Sequence, residues 1–224
     1  MEDHLERFER GQTFLGFGRK ISKDEIKEAI AGLQEWNGFE SSTFRLMLIA
    51  DGNESGQLLD SLFYITNTDI ANHETPPMAS LITHEYLREY PEIKSINYLT
   101  SNLLHSKKAK ANAIDVLYHR NGQVSEASRS NVFMVKDGVL ITPSRNILHG
   151  ITRKNVLKFS SDLMETQVRD VSLKEVMNAD EVFLTSTLKE VLPIVQIDKK
   201  KIGSGQIGRY TLKIQRRFLD HLYR

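Results

Sequence analysis

The sequence predicts an α+β protein in two parts: a small N-terminal α/β domain over residues 1–72 and a larger domain over residues 78–224. Three observations predict it. Helical apolar spacing fills residues 2–17 and 22–36, and strand patterns begin only after them, at residues 44–50 and 61–66. The stretch NTDIANHETPP, residues 67–77, loses apolar content and closes on two prolines, as a linker does. Beyond it, β-branched runs recur at residues 114–119, 131–136, 139–142, 181–186 and 191–197.

Composition narrows the function classes. A chain of 224 residues can bury a sizeable core, and 40% apolar with 26% charged residues is ordinary for a soluble globular protein. A net charge of +1 offers no basic field to nucleic acid. With no cysteine, disulfides, thiolate zinc sites and cysteine nucleophiles are excluded. No apolar run reaches membrane-spanning length, and MEDHLERFER is too charged for a signal peptide, so the expected location is cytoplasmic.

Each element has its own signal. In the first helix Leu5, Phe8, Gln12 and Leu15 share a side that is apolar but for Gln12. Ser22-Lys23-Asp24-Glu25 is a capping box opening the second helix, with Ile26, Ile30, Leu33 and Trp36 inward and Asn37-Gly38 as its stop. A glycine-containing turn over residues 51–57 separates the next two strands, and residues 78–85 resume an extended pattern. A helix is expected over residues 97–113, with Leu99, Leu103 and Leu104 on one side and Lys107, Lys108 and Lys110 on a solvated face. Asp137-Gly138 between two alternating runs is a strong hairpin signal, because the tight turn needs positive φ. Residues 152–164 read as a helix, 167–171 as a short strand, and Ser172-Leu173-Lys174-Glu175 as a second capping box. Gly203, Gly205 and Gly208 precede a final helix over residues 209–222, with Leu212, Phe218, Leu219 and Leu222 apolar. They follow no strand in the dinucleotide-fold manner, so a nucleotide site is weakly supported.

The chemistry concentrates in residues 125–153, SEASRSNVFMVKDGVLITPSRNILHGITR. Glu126 is a single carboxylate among small polar residues, where a lone acid needs a partner. Gly150-Ile151-Thr152 stands where a helix begins, and outward backbone N–H groups there suit a phosphate. An acid and an anion cradle on one rigid hairpin suit a ligand with a cationic ring and a phosphate. Lys94 is flanked by Ile93 and Ile96 rather than by charges; such surroundings lower a lysine's pKa and make its amine nucleophilic. A lysine snorkelling to the surface is the commoner outcome. Thr185-Ser186-Thr187, at a strand end, is either turn chemistry or a set of phosphate donors. By position alone Arg7 and His73 are solvated side chains.

Several of these residues together resemble a known family. Ile93-Lys94-Ser95-Ile96-Asn97-Tyr98, Ser125-Glu126-Ala127-Ser128-Arg129-Ser130-Asn131-Val132-Phe133, Leu140-Ile141-Thr142, Leu148-His149-Gly150-Ile151-Thr152-Arg153 and Phe183-Leu184-Thr185-Ser186-Thr187-Leu188-Lys189-Glu190-Val191-Leu192-Pro193 are similar to the class IV pyridoxal-phosphate aminotransferases. That family includes branched-chain aminotransferases, D-amino acid aminotransferases and 4-amino-4-deoxychorismate lyase. His4-Leu5-Glu6-Arg7-Phe8 is similar to the family's conserved helix, so the resemblance spans nearly the whole chain in order.

The resemblance implies a two-domain fold type IV enzyme, with a small α/β domain beside a larger one built on a β-barrel-like sheet. It implies pyridoxal 5'-phosphate, no metal, amino acid and 2-oxo acid substrates, and a homodimer. Lys94 then forms the Schiff base and moves the Cα proton, and Glu126 pairs with the pyridine nitrogen. Arg7, the backbone of Ile151 and Thr152, and the hydroxyls of Thr152, Ser186 and Thr187 hold the phosphate. Tyr98 meets the ring hydroxyl. The substrate carboxylate is read near Thr187 and Leu188. Arg45 is a further substrate candidate, although a solvent-facing strand arginine is as common.

Two departures from the family pattern carry expectations of their own. The family has several dozen residues before the His-Leu-Glu-Arg helix, so the N-terminal sheet is expected to lack strands and expose an edge. The loop over residues 143–147 is short. The expected activity is amino transfer from a branched-chain or D-amino acid to a 2-oxo acid. The alternatives are the lyase and a truncated, poorly active relative that keeps the fold.

Overall fold

A computed structural model of the chain describes all residues except 18–19, 53–57, 71–73 and 223–224. It divides into two compact units, Met1–Glu74 and Thr75–Arg224.

The first unit is built from α1 (Glu2–Phe14), α2 (Lys23–Asn37), β1 (Ser42–Gly52) and β2 (Leu58–Asp69). β1 and β2 pair antiparallel with Met47 opposite Tyr64. Leu5, Ile21, Ile26 and Ile30 are buried against Phe8, Phe44, Leu46, Leu48 and Phe63, so both helices cover one face of the ribbon. Phe44, Leu46 and Leu48 alternate along β1 as the two-residue strand period requires. Among the described residues this sheet has two strands. α1 stops at Phe14, short of residue 17, and Leu15 is exposed. Gln12, the polar residue of its inner face, is buried and satisfied. Its amide donates to Ile21 O (3.1 Å) and its oxygen accepts from Ile21 N (2.7 Å).

In α2 the capping box between Ser22 and Glu25 is formed, and Gly38 closes the helix at φ +63°. Trp36 points outward and is 88% exposed, contrary to expectation. Six residues past Ile30 it falls about a third of a turn off the buried stripe. The two strands run longer than predicted, and β2 takes in Asn67, Thr68 and Asp69 from the expected linker. Most of the turn over residues 51–57, and His73, lie outside the described residues.

The second unit is a curled mixed sheet with helices outside it. In chain order it holds β3 (Ala79–Glu85), α3 (Leu99–Leu103), α4 (His105–Lys110), β4 (Asp115–Arg120) and β5 (Gln123–Ala127). β6 (Asn131–Lys136), β7 (Val139–Pro143), α5 (Ile151–Ser160), β8 (Thr166–Arg169) and α6 (Leu173–Met177) follow. β9 (Glu181–Ser186), β10 (Glu190–Ile197), β11 (Lys200–Lys201) and α7 (Arg209–Leu222) complete it. The strand order is β5-β4-β3-β10-β9-β6-β7-β8, with β11 beside β10.

The sheet curls far enough for its ends to meet. Val124 N donates to Val171 O (2.8 Å) and Leu173 N to Gly122 O (2.7 Å), joining β5 to the segment after β8. Side chains alternate across the curl. Val132, Met134, Val182, Leu184, Leu192 and Ile194 fill its interior, while Phe133, Val135, Phe183 and Val191 face Val156 of α5 and Ile214 and Phe218 of α7. Phe133 and Phe183 stack with ring centroids 5.0 Å apart. Pro193 is tolerated inside β10 because the ladder to β3 begins only at Ile194 and shifts register there.

The hairpin at Asp137 and Gly138 forms with φ +51° and +79°. The second capping box, Ser172 with Glu175, also forms. The helix expected over residues 97–113 is instead two short helices broken at Leu104. The break shifts the phase, so Leu104 packs with Ile82, Val116 and Tyr118 while Leu99 and Leu103 are 65% and 76% exposed. α5 ends at Ser160, before Met164. On α7 the buried apolar positions are Ile214 and Phe218, and Leu212 is exposed. Among the described residues no helix is long and apolar enough to cross a membrane.

Candidate functional site

Glu126 lies on β5, next to the seam that closes the sheet, and is 3% exposed. Three donors meet its carboxylate. Leu148 N reaches Oε2 at 2.9 Å, Asn131 Nδ2 the same oxygen at 3.4 Å, and Arg88 Nη1 reaches Oε1 at 3.2 Å. Burial pushes its pKa up to about 7, against the pull of the Leu148 bond, the Arg88 charge and hydrogen bond, and the Lys94 charge. The acid therefore changes charge close to neutrality, and one more cation against it decides which form it takes.

The acid and the expected anion cradle are one assembly. Asn131, at the start of β6, also donates from Nδ2 to Leu148 O at 2.7 Å. Its Oδ1 lies against Gly150, where an added Cβ would come within 2.1 Å. Gly150 caps α5 in extended conformation, with no side chain taking the first N–H groups of the helix. Those of Ile151 and Thr152 are left for an external acceptor. Arg153 anchors this end from behind, with Nη2 on Pro143 O (3.0 Å) and Nε on Thr142 Oγ1 (3.4 Å).

Lys94 lies in the extended segment before α3, is exposed, and its charge acts on Glu126. Arg88 joins the two regions: it binds Glu126 and also donates from Nη2 to Ser95 Oγ at 3.4 Å, beside Lys94. Tyr98 is half-buried between guanidiniums, with Arg129 Cζ 4.5 Å and Arg88 Cζ 6.0 Å from its ring centroid. Arg88, Arg129, Asn131 and Arg153 were given no role by sequence reasoning. The signal for Arg88 was available, since a lone buried carboxylate requires a cation and this arginine stands six residues before Lys94.

At the other strand end Ser186 is half-buried and Thr187 and Leu188 are exposed. Thr185 is 2% exposed, and its hydroxyl has no hydrogen-bond partner among the described residues. Thr185 pairs with Asn131 across β9 and β6, so this orphan donor belongs to the same region. Arg7 on α1 is half-buried, and Arg45 on β1 is exposed opposite Thr66. Both belong to the first unit. Among the described residues no cluster of His, Asp or Glu could hold a metal ion.

The chain belongs to the class IV aminotransferases: residues 1–197 match the family model for amino-transferase class IV. It is similar to the D-alanine aminotransferase of Staphylococcus aureus (strain N315), 30% identical over 231 residues covering 98% of this chain and 82% of the relative. It is 39% identical to that of Bacillus licheniformis over 225 residues, 96% of this chain and 80% of the relative. Among solved structures it is similar to the PLP-form of the branched-chain amino acid aminotransferase from Thermobaculum terrenum. The TM-score is 0.89 at 27% identity, over 99% of this chain and 78% of that one. The branched-chain amino acid aminotransferase from Escherichia coli gives 0.84 at 26% identity, over 97% of this chain and 76% of that one. The fold is that of the fold type IV aminotransferases, and PLP-dependent transamination is the activity these relatives support over the lyase.

Proposed function

We propose that this chain binds pyridoxal 5'-phosphate and moves an amino group from a D-amino or branched-chain amino acid to a 2-oxo acid. The observation that carries the reading is the continuous assembly Glu126–Asn131–Leu148–Gly150, which fixes an acid and an anion cradle in one frame. The residues fit the cofactor: a buried acid poised near neutrality, uncapped N–H groups at α5, and an orphaned hydroxyl at Thr185.

Roles follow from residue chemistry. Ile151 and Thr152 N–H, with the hydroxyls of Thr152, Ser186 and Thr187, hold the phosphate, and Arg7 adds a charge-assisted contact worth about 1.5–3 kcal/mol. Glu126, as an anion, pairs with the ring nitrogen and keeps it protonated, and that new cation draws the acid's own pKa down. When bound, the cofactor supplies an electron sink for the pair left at the substrate Cα. Lys94 would hold the cofactor through its amine and, when free of it, would take the substrate Cα proton as base and pass it on to the cofactor as acid, not back to Cα. Tyr98, steadied by Arg88 and Arg129, meets the ring hydroxyl. Leu188, at the exposed turn, and Arg45 are proposed for the substrate carboxylate.

A homodimer is part of this proposal. Ile96, Leu99 and Leu103 form an exposed apolar run near Lys94, with Tyr90 exposed a few residues before it, and a second copy would cover them.

The test is covalent. Purified protein should be yellow, borohydride should fix the cofactor on Lys94, and amino donors with 2-oxoglutarate should be consumed. A borohydride-stable adduct at unit stoichiometry in Lys94→Ala would show that another amine carries the cofactor.

A further inference from the structure

The turn between β9 and β10, residues 187–189, is held by more than its length requires. Lys189 N donates to Ser186 Oγ (3.2 Å), and Leu188 O accepts from Thr75 Oγ1 (3.1 Å). Glu190 closes the turn at φ +52°, the left-handed residue that a three-residue hairpin loop calls for. The Lys189 side chain runs back from this turn into the body of the sheet. Its Nζ lies 2.7 Å from Asp115 Oδ2 and 3.1 Å from Ser130 Oγ.

Asp115 is built into the fold rather than laid on its surface. Its side chain is 3% exposed, and Oδ1 accepts from Val116 N (2.8 Å) and from Ser128 Oγ. Ser128 in turn accepts from Ser101 Oγ (3.1 Å). Asp115 lies on β4, two strands from β10 in the sheet. Ser128 and Ser130 lie in the β5–β6 connection, between Glu126 and Asn131. The lysine thus reaches from the turn back to the corner that holds the acid.

Two consequences follow for that turn. The N–H groups of Thr187 and Leu188 donate to no acceptor among the described residues, and both residues are exposed, so these donors are left for an external partner. The ammonium that a passing anion would otherwise seek is turned inward and neutralised by Asp115.

We propose that Lys189 is a positioning residue for substrate: clamped on Asp115 and Ser130, it holds in place the 187–189 turn to which the reading above already assigns the substrate carboxylate. The proposal rests on the aminotransferase reading above. It assigns to one side chain the registration between the carboxylate reader and Glu126.

The test uses full-length protein loaded with pyridoxal phosphate and pentanoate, a carboxylate with no amino group to react. Calorimetry gives pentanoate affinity, and the visible absorbance of the bound cofactor gives cofactor affinity. Lys189→Met is expected to weaken pentanoate about ten- to a hundredfold, the scale of a misplaced contact, and cofactor by clearly less, since Thr187 is one of several phosphate contacts and those at Ile151 and Thr152 stay in place. Lys189→Met leaves Asp115 buried without its partner, so Asp115→Asn with Lys189→Met supplies a neutral pair that removes the clamp with less risk to folding. The double variant is expected to show the same selective loss, and Lys189→Arg to recover part of it. Unchanged pentanoate affinity in both methionine variants overturns the clamp, as does an equal loss of cofactor and pentanoate. A wild type that takes up no cofactor sinks the aminotransferase reading itself and this proposal with it.

Discussion

At Glu126 burial favours the neutral acid, while Arg88, Lys94 and the Leu148 N–H favour the anion. Burial prevails, and the pKa of about 7 lies above the 4.5 of an ordinary glutamate. Between these values the folded chain binds a proton that the unfolded chain has released, so stability falls as pH rises through that window. The difference corresponds to about 3 kcal/mol carried as a burden above neutrality. Glu126→Gln is therefore expected to stabilise the unloaded protein by up to that amount at about pH 8 and to lose the advantage near pH 4.5. Urea unfolding at a series of pH values checks this, and a difference independent of pH would contradict it. The same variant should bind the cofactor poorly, because an amide cannot answer a ring cation. A site held partly against its own stability is a familiar mark of function.

Among the elements, the join between β6 and the start of α5 matters most. Gly150 is required less for its backbone angles, which are ordinary, than for its missing Cβ. Gly150→Ala would drive a methyl group into Asn131 Oδ1 and separate the acid from the cradle. The expected cost is about 1–3 kcal/mol of stability, with weakened phosphate binding. Thermal unfolding and titration with inorganic phosphate measure the two, and an unperturbed variant would show that Asn131 is not fixed by this contact. Much at this scale was legible in the sequence. Capping boxes, Gly38 and the Asp137-Gly138 hairpin are local, since a few adjacent residues carry both the signal and its hydrogen bonds. Trp36 was misplaced because periodicity reports a stripe, not its phase against a partner, and Leu104 parts from Leu99 and Leu103 because the helix expected there breaks at it. Arg88 and Lys189 went without roles for a different reason. Their partners, Glu126 and Asp115, lie 38 and 74 residues away, and only the curl of the sheet brings them together.

The whole second unit is a sheet whose two ends are tied, with the acid placed just beside the tie. Outside it, the exposed run Ile96, Leu99 and Leu103 is the apolar surface proposed for a second copy. Leu99→Glu with Leu103→Glu is expected to yield monomers in sedimentation experiments without unfolding the chain, since neither side chain packs inside. Dimers that survive both charges would place the contact elsewhere. The tie itself consists of two backbone hydrogen bonds, Val124 to Val171 and Leu173 to Gly122. Any excursion that parts them admits water beside Glu126, two residues further along the strand. An acid reached by water reverts to ordinary titration, so each opening of the seam exchanges a proton held at about 7 for one held near 4.5. The latch of the barrel and the charge of its acid are two coordinates of one equilibrium, and raising the pH from 4.5 through about 7 loosens both.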